Sequence, residues 1–254
     1  MPEDARIEIR REGPVALLTL HRPPANRITQ AMVQELAARV ADLEKDPGAL
    51  AVVVAGSGGR AFSEGLDAEE WAAFSPKDAQ SAIQRGFEAL WALEHLAKPT
   101  LAAIEGACRG AGAELALACD LRFASEDATF AFPDVDQGWM PSHGGIARLP
   151  RMVGRAKALE LFVSGAEVTA REAAEMGFVE RVVPRGEALE AAQATAALFA
   201  RKPRSAVHAI KRALTEGEEK PYRNRFLLES QHSVQLLWSD AYREAQEKAR
   251  RRAP

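Results

Sequence analysis

Between residues 29 and 48 the apolar positions Met32, Val33, Leu36, Val40 and Leu43 recur at helical spacing, and the polar residues fall between them. Thr29 stands where an N-cap belongs, and Asp46, Pro47 and Gly48 supply a stop. Before this helix, 15–20 is a short apolar run that ends at "HRPPAN", where the prolines forbid further regular structure. After it, 50–56 ("LAVVVAG") predicts a buried strand, followed by the loop "SGGRAFSEGLD". A second helix is predicted over about 78–96, with Phe87 and Trp91 one turn apart, and 100–106 ("TLAAIEG") is strand again. The stretches "LRFAS" and "ATFAFPD" are two further short strands. "VGRAKALELFVSG" is a helix closed by Gly165, and "TAREAAEMGFVERVVP" is a helix followed by a strand. Past Glu187 strand signals vanish and a helical tail begins. The pattern divides the chain into an α/β body over 1–190 and a helical C-terminal region over 191–254, with no sequence repeat of fixed period.

Composition narrows the class. The 254 residues are 47% hydrophobic and 27% charged, the profile of a globular protein with one large core or a core and an appendage. The net charge of −3 offers no bulk attraction to nucleic acid or to an anionic membrane. The charged start "MPEDARIEIRREG" lacks a signal-peptide core, and no run reaches the ~18 apolar residues of a membrane span. The two cysteines, Cys108 and Cys119, lack both disulfide-framework and metal-site spacing. A cytoplasmic protein is expected.

Chemistry concentrates in three segments. In "CRGAGAELALACD" (108–120), the small residues Gly110, Ala111 and Gly112 open a helix, and Glu114 sits one turn in among core-type residues. A dinucleotide site is disfavoured, because Leu115 stands where the fingerprint needs Gly or Ala and Glu114 would repel pyrophosphate. "GSGGRAF" (56–62) lacks the Gly-Lys-Ser/Thr of a phosphate loop. There remains a helix start whose free N–H groups can stabilise an oxyanion beside a carboxylate able to handle a proton. An acid at a helix N-terminus also contributes stability alone, by several tenths of a kcal/mol, so this segment leaves both readings open. "GRAFSEGLD" (59–67) turns through Gly65, a second place for a main-chain N–H to enter a cleft, and "FAFPDVDQGWMPSHGG" (130–145) brings Asp134 to a strand exit.

Together, "AFSEGLD", "GACRGAGAELALACD", "FPDVDQGWMPSHGGIARLPRMVG" and "TAREAAEMGFVERVVP" resemble, in this order and spacing, the enoyl-CoA hydratase/isomerase (crotonase) family over about residues 5–235. The resemblance implies a spiral of ββα units with a C-terminal helical region that builds homotrimers, usually paired into homohexamers. It implies an acyl-CoA thioester as substrate, whose oxygen is held by the main-chain N–H groups of Leu66 and Ala111. Hydratases of the family use two glutamates to hold a water; the first position is Glu114 and the second falls on Asp134. The substrate and CoA positions so implied are Arg22, Pro24, Asn26, Arg60, Glu64, Gly65, Asp67, Gly110, Pro133 and Trp139. Hydration of a 2-enoyl-CoA is the implied reaction, with no metal or other cofactor.

Several positions depart from the family pattern. Asp134 is one methylene shorter than the usual glutamate, Pro24 stands where a lysine is common, and Glu69 where a basic residue is sometimes found. Trp139 and His143 replace smaller residues; Trp139 reads equally as an acyl-pocket wall or as packing, and His143 reads first as a hydrogen-bonded or exposed loop residue and second as an extra proton-handling group. The ending "REAQEKARRRAP" is atypical. Double-bond isomerisation, decarboxylation and thioester hydrolysis are the alternatives, followed by a catalytically silent scaffold. RNA binding through the basic "RKPRSAVHAIKR" and "KARRRAP" is the remote one, because no aromatic residues are interleaved to stack bases and Glu216, Glu218 and Glu219 offset the charge.

Overall fold

A computed structural model of the chain describes residues 5–218 and 220–252; the first four residues of the charged start, Glu219 and the last two residues of the basic tail lie outside the described residues. The chain opens with the hairpin β1 (Arg6–Glu12) and β2 (Val15–His21), then α1 (Gln30–Lys45). Next come β3 (Ala51–Gly56), β4 (Ala61–Ser63), α2 (Ala68–Ala72) and α3 (Pro76–Glu94). The middle holds β5 (Thr100–Ile104), β6 (Ala107–Arg109), α4 (Ala111–Leu117), β7 (Leu121–Ser125), β8 (Thr129–Ala131) and a 3-10 turn (Pro133–Gln137). Then follow α5 (Gly145–Val153), α6 (Arg155–Ser164), β9 (Val168–Thr169), α7 (Ala170–Met176) and β10 (Arg181–Val183). Four helices complete the described chain: α8 (Ala188–Ala200), α9 (Arg204–Gly217), α10 (Tyr222–Leu237) and α11 (Asp240–Arg252).

The strands sort into two sheets, β1-β2-β3-β5-β7-β10 and β4-β6-β8-β9. Three successive strand pairs each place their first strand in the large sheet and their second in the small one, so β3, β5 and β7 lie side by side, as do β4, β6 and β8. Each repeat advances one place in both parallel stacks. That is the spiral of ββα units, and it recurs without any recurrence of sequence.

Why β3 reads as an unbroken apolar run is visible in its two neighbours. Val52 and Val54 face the main core beneath α1 and α3, whereas Ala51, Val53 and Ala55 face a second core under α8. A parallel strand covered on both faces has no polar side to show. Helix α8 lies on the sheet through Ala188, Ala192 and Ala196, a stripe of small side chains that permits close approach. The expected division at 190/191 falls inside α8 (Ala188–Ala200), a helix that covers the sheet. Helix α1 buries the predicted positions 32, 33, 36, 40 and 43, with Thr29 Oγ1 accepting from the Met32 N–H. Strand β1 ("RIEIRRE") escapes the pattern because a sheet edge tolerates charge and buries only Ile7. No described helix is long and apolar enough to cross a membrane.

Candidate active site

The three segments singled out by their chemistry leave the C-terminal ends of three adjacent parallel strands, β4, β6 and β8. That is where open parallel sheets bind ligands. Past β4, Leu66 forms a parallel bridge with Ile28: the Ile28 N–H donates to Gly65 O (2.8 Å), and the Asp67 N–H donates to Ile28 O (3.0 Å). Alternation along the chain then turns the Leu66 N–H to the opposite side. Past β6, Gly110 takes φ 48°, ψ −126°, a conformation that a Cβ would strain, and its N–H donates to Ala131 O at 3.0 Å. Helix α4 starts at the next residue, so the Ala111 N–H is one of the unpaired donors of a helix N-terminus. The segments touch: a Cβ on Gly65 would lie 3.6 Å from Ala111 N. Among the described residues neither the Leu66 nor the Ala111 N–H has an acceptor.

Both donors line a cavity of about 430 Å³, together with Gly65, Gly110, Pro133 and Asp134. Trp71, Trp139, Ala68, Ala72 and Ala79 form an apolar wall, with the two indoles edge to face at 6.0 Å. Arg27 and Glu64, paired at 3.4 Å, contribute charge to the lining.

Glu114 is wholly buried. Its Oε1 accepts from the His143 N–H (2.9 Å) and the Gly145 N–H (2.7 Å). A Cβ on Gly145 would stand 2.9 Å from that oxygen, so only glycine lets the loop close over the acid. Arg148 in turn holds the loop: its Nη1 donates to His143 O (2.9 Å) and it pairs with Glu94 at 2.7 Å. Glu114 Oε2 and Asp134 Oδ2 are both buried without a hydrogen-bond partner among the described residues. The Asp134 carboxyl sits near the start of α4, 3.9 Å from where a Gly110 Cβ would be. Burial foremost, then the Glu114 charge, push its pKa up from the ordinary 3.8 to about 6, against opposing pulls from its own backbone and from His143.

Not every residue implied by the resemblance reaches this cavity. Leu66, Ala111, Glu64, Gly65, Gly110, Pro133, Asp134 and Trp139 line it. Arg22 is instead committed to Asp67 (2.5 Å), and Asp67 caps α2 by accepting from the Glu70 N–H (2.9 Å). Asn26 is wholly buried and ties its loop to Ser57 O and Ala61 O. Pro24 and Arg60 are exposed and lie outside the lining. These five build or flank the cleft and do not line it, and the wholly buried Glu114 is not among the lining residues either. His143 is the hydrogen-bonded loop histidine of the first reading, with Nδ1 3.0 Å from Ser142 Oγ, but it is not exposed: only 2% of it is accessible, and the same Nδ1 lies 3.7 Å from Glu114 Oε2. Trp71 escaped sequence reasoning because α2 is only five residues long; the Asp67/Glu70 spacing at its start was the available signal.

The chain matches the family model for enoyl-CoA hydratase/isomerase over residues 10–252 and belongs to that family. It is 35% identical over 232 residues to the Bacillus subtilis (strain 168) protein named "Probable enoyl-CoA hydratase", covering 91% of this chain and 90% of that one. It is 37% identical over 213 residues to the 2,3-dehydroadipyl-CoA hydratase of Escherichia coli (strain K12), covering 83% and 82%. The solved enoyl-CoA hydratase from Bacillus anthracis superposes with a TM-score of 0.92 at 30% identity, over 98% of this chain and 97% of that one. The fold is the crotonase spiral.

Proposed function

We propose that this chain is an enoyl-CoA hydratase, adding water across the double bond of a 2-enoyl-CoA thioester. The observation that carries the reading is the pairing of two buried, unpartnered carboxylate oxygens, on Glu114 and Asp134, with two outward main-chain N–H groups on Leu66 and Ala111. The thioester oxygen lies between the two N–H groups, where the α4 dipole reinforces them as negative charge develops. Glu114 Oε2 and Asp134 Oδ2 hold one water. Its oxygen bonds to the β carbon while Glu114 takes its proton, and protonated Asp134 gives a proton to the α carbon. The product is a 3-hydroxyacyl-CoA; the proton on Glu114 returns to Asp134 before the next turnover. A pKa near 6 suits Asp134 to giving and regaining a proton close to neutrality. No metal or redox cofactor enters these steps. The short Asp134 side chain favours one second reading, double-bond isomerisation, in which a single acid suffices.

The supporting comparisons are the hydratase names of the relatives, which cover most of both chains. We extend the reading to assembly as a homotrimer or homohexamer through the C-terminal helices, where Ile210, Leu214, Phe226, Val234 and Trp238 are exposed. RNA binding has less support, because Lys211 is paired with Asp120 at 2.7 Å and Arg212 with Glu216 at 3.1 Å.

Hydration of crotonyl-CoA, followed as loss of the conjugated thioester absorbance, tests the proposal. The wild type should be active, and Glu114→Gln and Asp134→Asn should each lose about 10²-fold or more in kcat. A wild type that binds crotonyl-CoA without hydrating it, yet shifts the double bond of a 3-enoyl-CoA, transfers the chain to the isomerases.

A further inference from the structure

The proposed steps leave His143 without a task, although its surroundings are built around it. The imidazole fits a notch on α3: a Cβ on Gly86 would lie 1.8 Å from its Cδ2 and 2.1 Å from its Nε2. The edge of Trp71 closes another side, with ring centroids 6.1 Å apart. Its main chain is held at both ends, the N–H by Glu114 Oε1 and the carbonyl by Arg148. Only Nδ1 meets polar atoms, Ser142 Oγ at 3.0 Å and Glu114 Oε2 at 3.7 Å; Nε2 is buried with no partner among the described residues.

These contacts select a tautomer. A neutral imidazole carries one N–H. On Nε2 it would be a donor buried against the Gly86 notch, and the bare Nδ1 lone pair would face a carboxylate oxygen. On Nδ1 it meets the Ser142 hydroxyl and lies beside Glu114, so both terms favour the same choice. Because one nitrogen faces both Ser142 and Glu114, the cluster is not a serine–histidine–acid relay, which needs the two ring nitrogens on different partners.

We propose that His143, as its Nδ1–H tautomer, is a positioning residue that orients Glu114 for water activation; its catalytic consequence rests on the hydratase reading. Two main-chain N–H groups fix Oε1, and a third N–H beside Oε2 sets the rotation of the carboxylate. The remaining lone pair of Oε2 is thereby left for the water of the proposed step. The 3.7 Å separation is longer than a formed hydrogen bond, and such contacts commonly tighten in the substrate complex.

Long-range proton–nitrogen NMR of labelled protein, with the His143 signals assigned by their loss in His143→Asn, reads the tautomer directly. Nδ1–H is expected, and Nε2–H overturns the proposal whether or not the chain hydrates crotonyl-CoA. Kinetics supply the second arm. His143→Leu fills the notch without a donor and should lower kcat about 10- to 100-fold, as loss of an orienting partner does, with KM within roughly twofold. His143→Asn, whose amide nitrogen can stand where Nδ1 stands, should recover kcat to within roughly fivefold of wild type. Equal losses in both variants at unchanged unfolding midpoints refute the positioning role. A wild type with the Nδ1–H signature and no hydration removes the hydratase reading and keeps the Glu114–His143 pairing.

Discussion

Asp134→Asn should make the protein more stable at neutral pH while removing its activity. The carboxyl is half-buried beside Glu114, and its pKa rises from 3.8 to about 6. A rise of roughly 2 units corresponds to about 3 kcal/mol at about 1.4 kcal/mol per unit; solvent reaching the exposed part of the group reduces that to about 1–2 kcal/mol. Because the folded state binds this proton more tightly than the unfolded chain, its contribution is fully present below pH 4. It is lost as pH rises towards 6, and above that the folded state carries the ionised acid at a constant cost. Asparagine has the same shape and no proton to lose. The two proteins should therefore unfold alike near pH 4, with the variant gaining about 1–2 kcal/mol by pH 7–8. Urea unfolding at fixed protein concentration across pH 4–8 measures this, the fixed concentration guarding against linkage to assembly. A stability difference that does not change with pH, or a variant weaker than wild type at pH 8, would refute the reasoning.

Three further outcomes follow from other parts of the site and core. Gly145→Ala places a methyl 2.9 Å from Glu114 Oε1 and 3.0 Å from its Cγ; steady-state kinetics should give a kcat about 10²-fold lower, the cost of roughly 1 Å of misplacement. Glu94→Ala strands the buried Arg148 guanidinium and should cost about 3–5 kcal/mol in urea unfolding; a loss under about 1 kcal/mol would make the pair a surface-like contact. Burial pushes the Cys119 thiol up to about 12 and Cys108 higher still. A thiol reagent at pH 8 should therefore label neither in the folded protein and both after denaturation.

Legibility in the sequence followed the size of the signal. Helix α1 could be read from its periodicity because five apolar side chains share one core. Buried strands β3 and β5 could be read because both their faces are covered. Of the small sheet only β8 could be read, inside "ATFAFPD"; β4 and β6 have three residues each, too few for a period, and exist because the spiral stacks them. Helix α5 begins at a glycine and contains Pro150, so its pattern argues against the helix that packing imposes.

The sequence by itself determined the candidates. An acid one turn into an apolar helix, a glycine-bearing turn after each of two strands and an acid at a third strand exit are local features, and the chain displays them openly. That the two turns and Asp134 line one cavity, with Glu114 buried beside Asp134, was decided only by the tertiary structure, because strand ends far apart in the chain become neighbours through parallel pairing. The same packing set Arg22, Asn26 and Asp67 outside the cavity lining and gave their polar groups to the loop and helix cap they hold together. It also brought the loop residue His143 beside Glu114, since the notch at Gly86 lies on another helix and carries no local signature. Side-chain chemistry is inherited from the residue, whereas burial, partner and orientation come from contacts between distant segments.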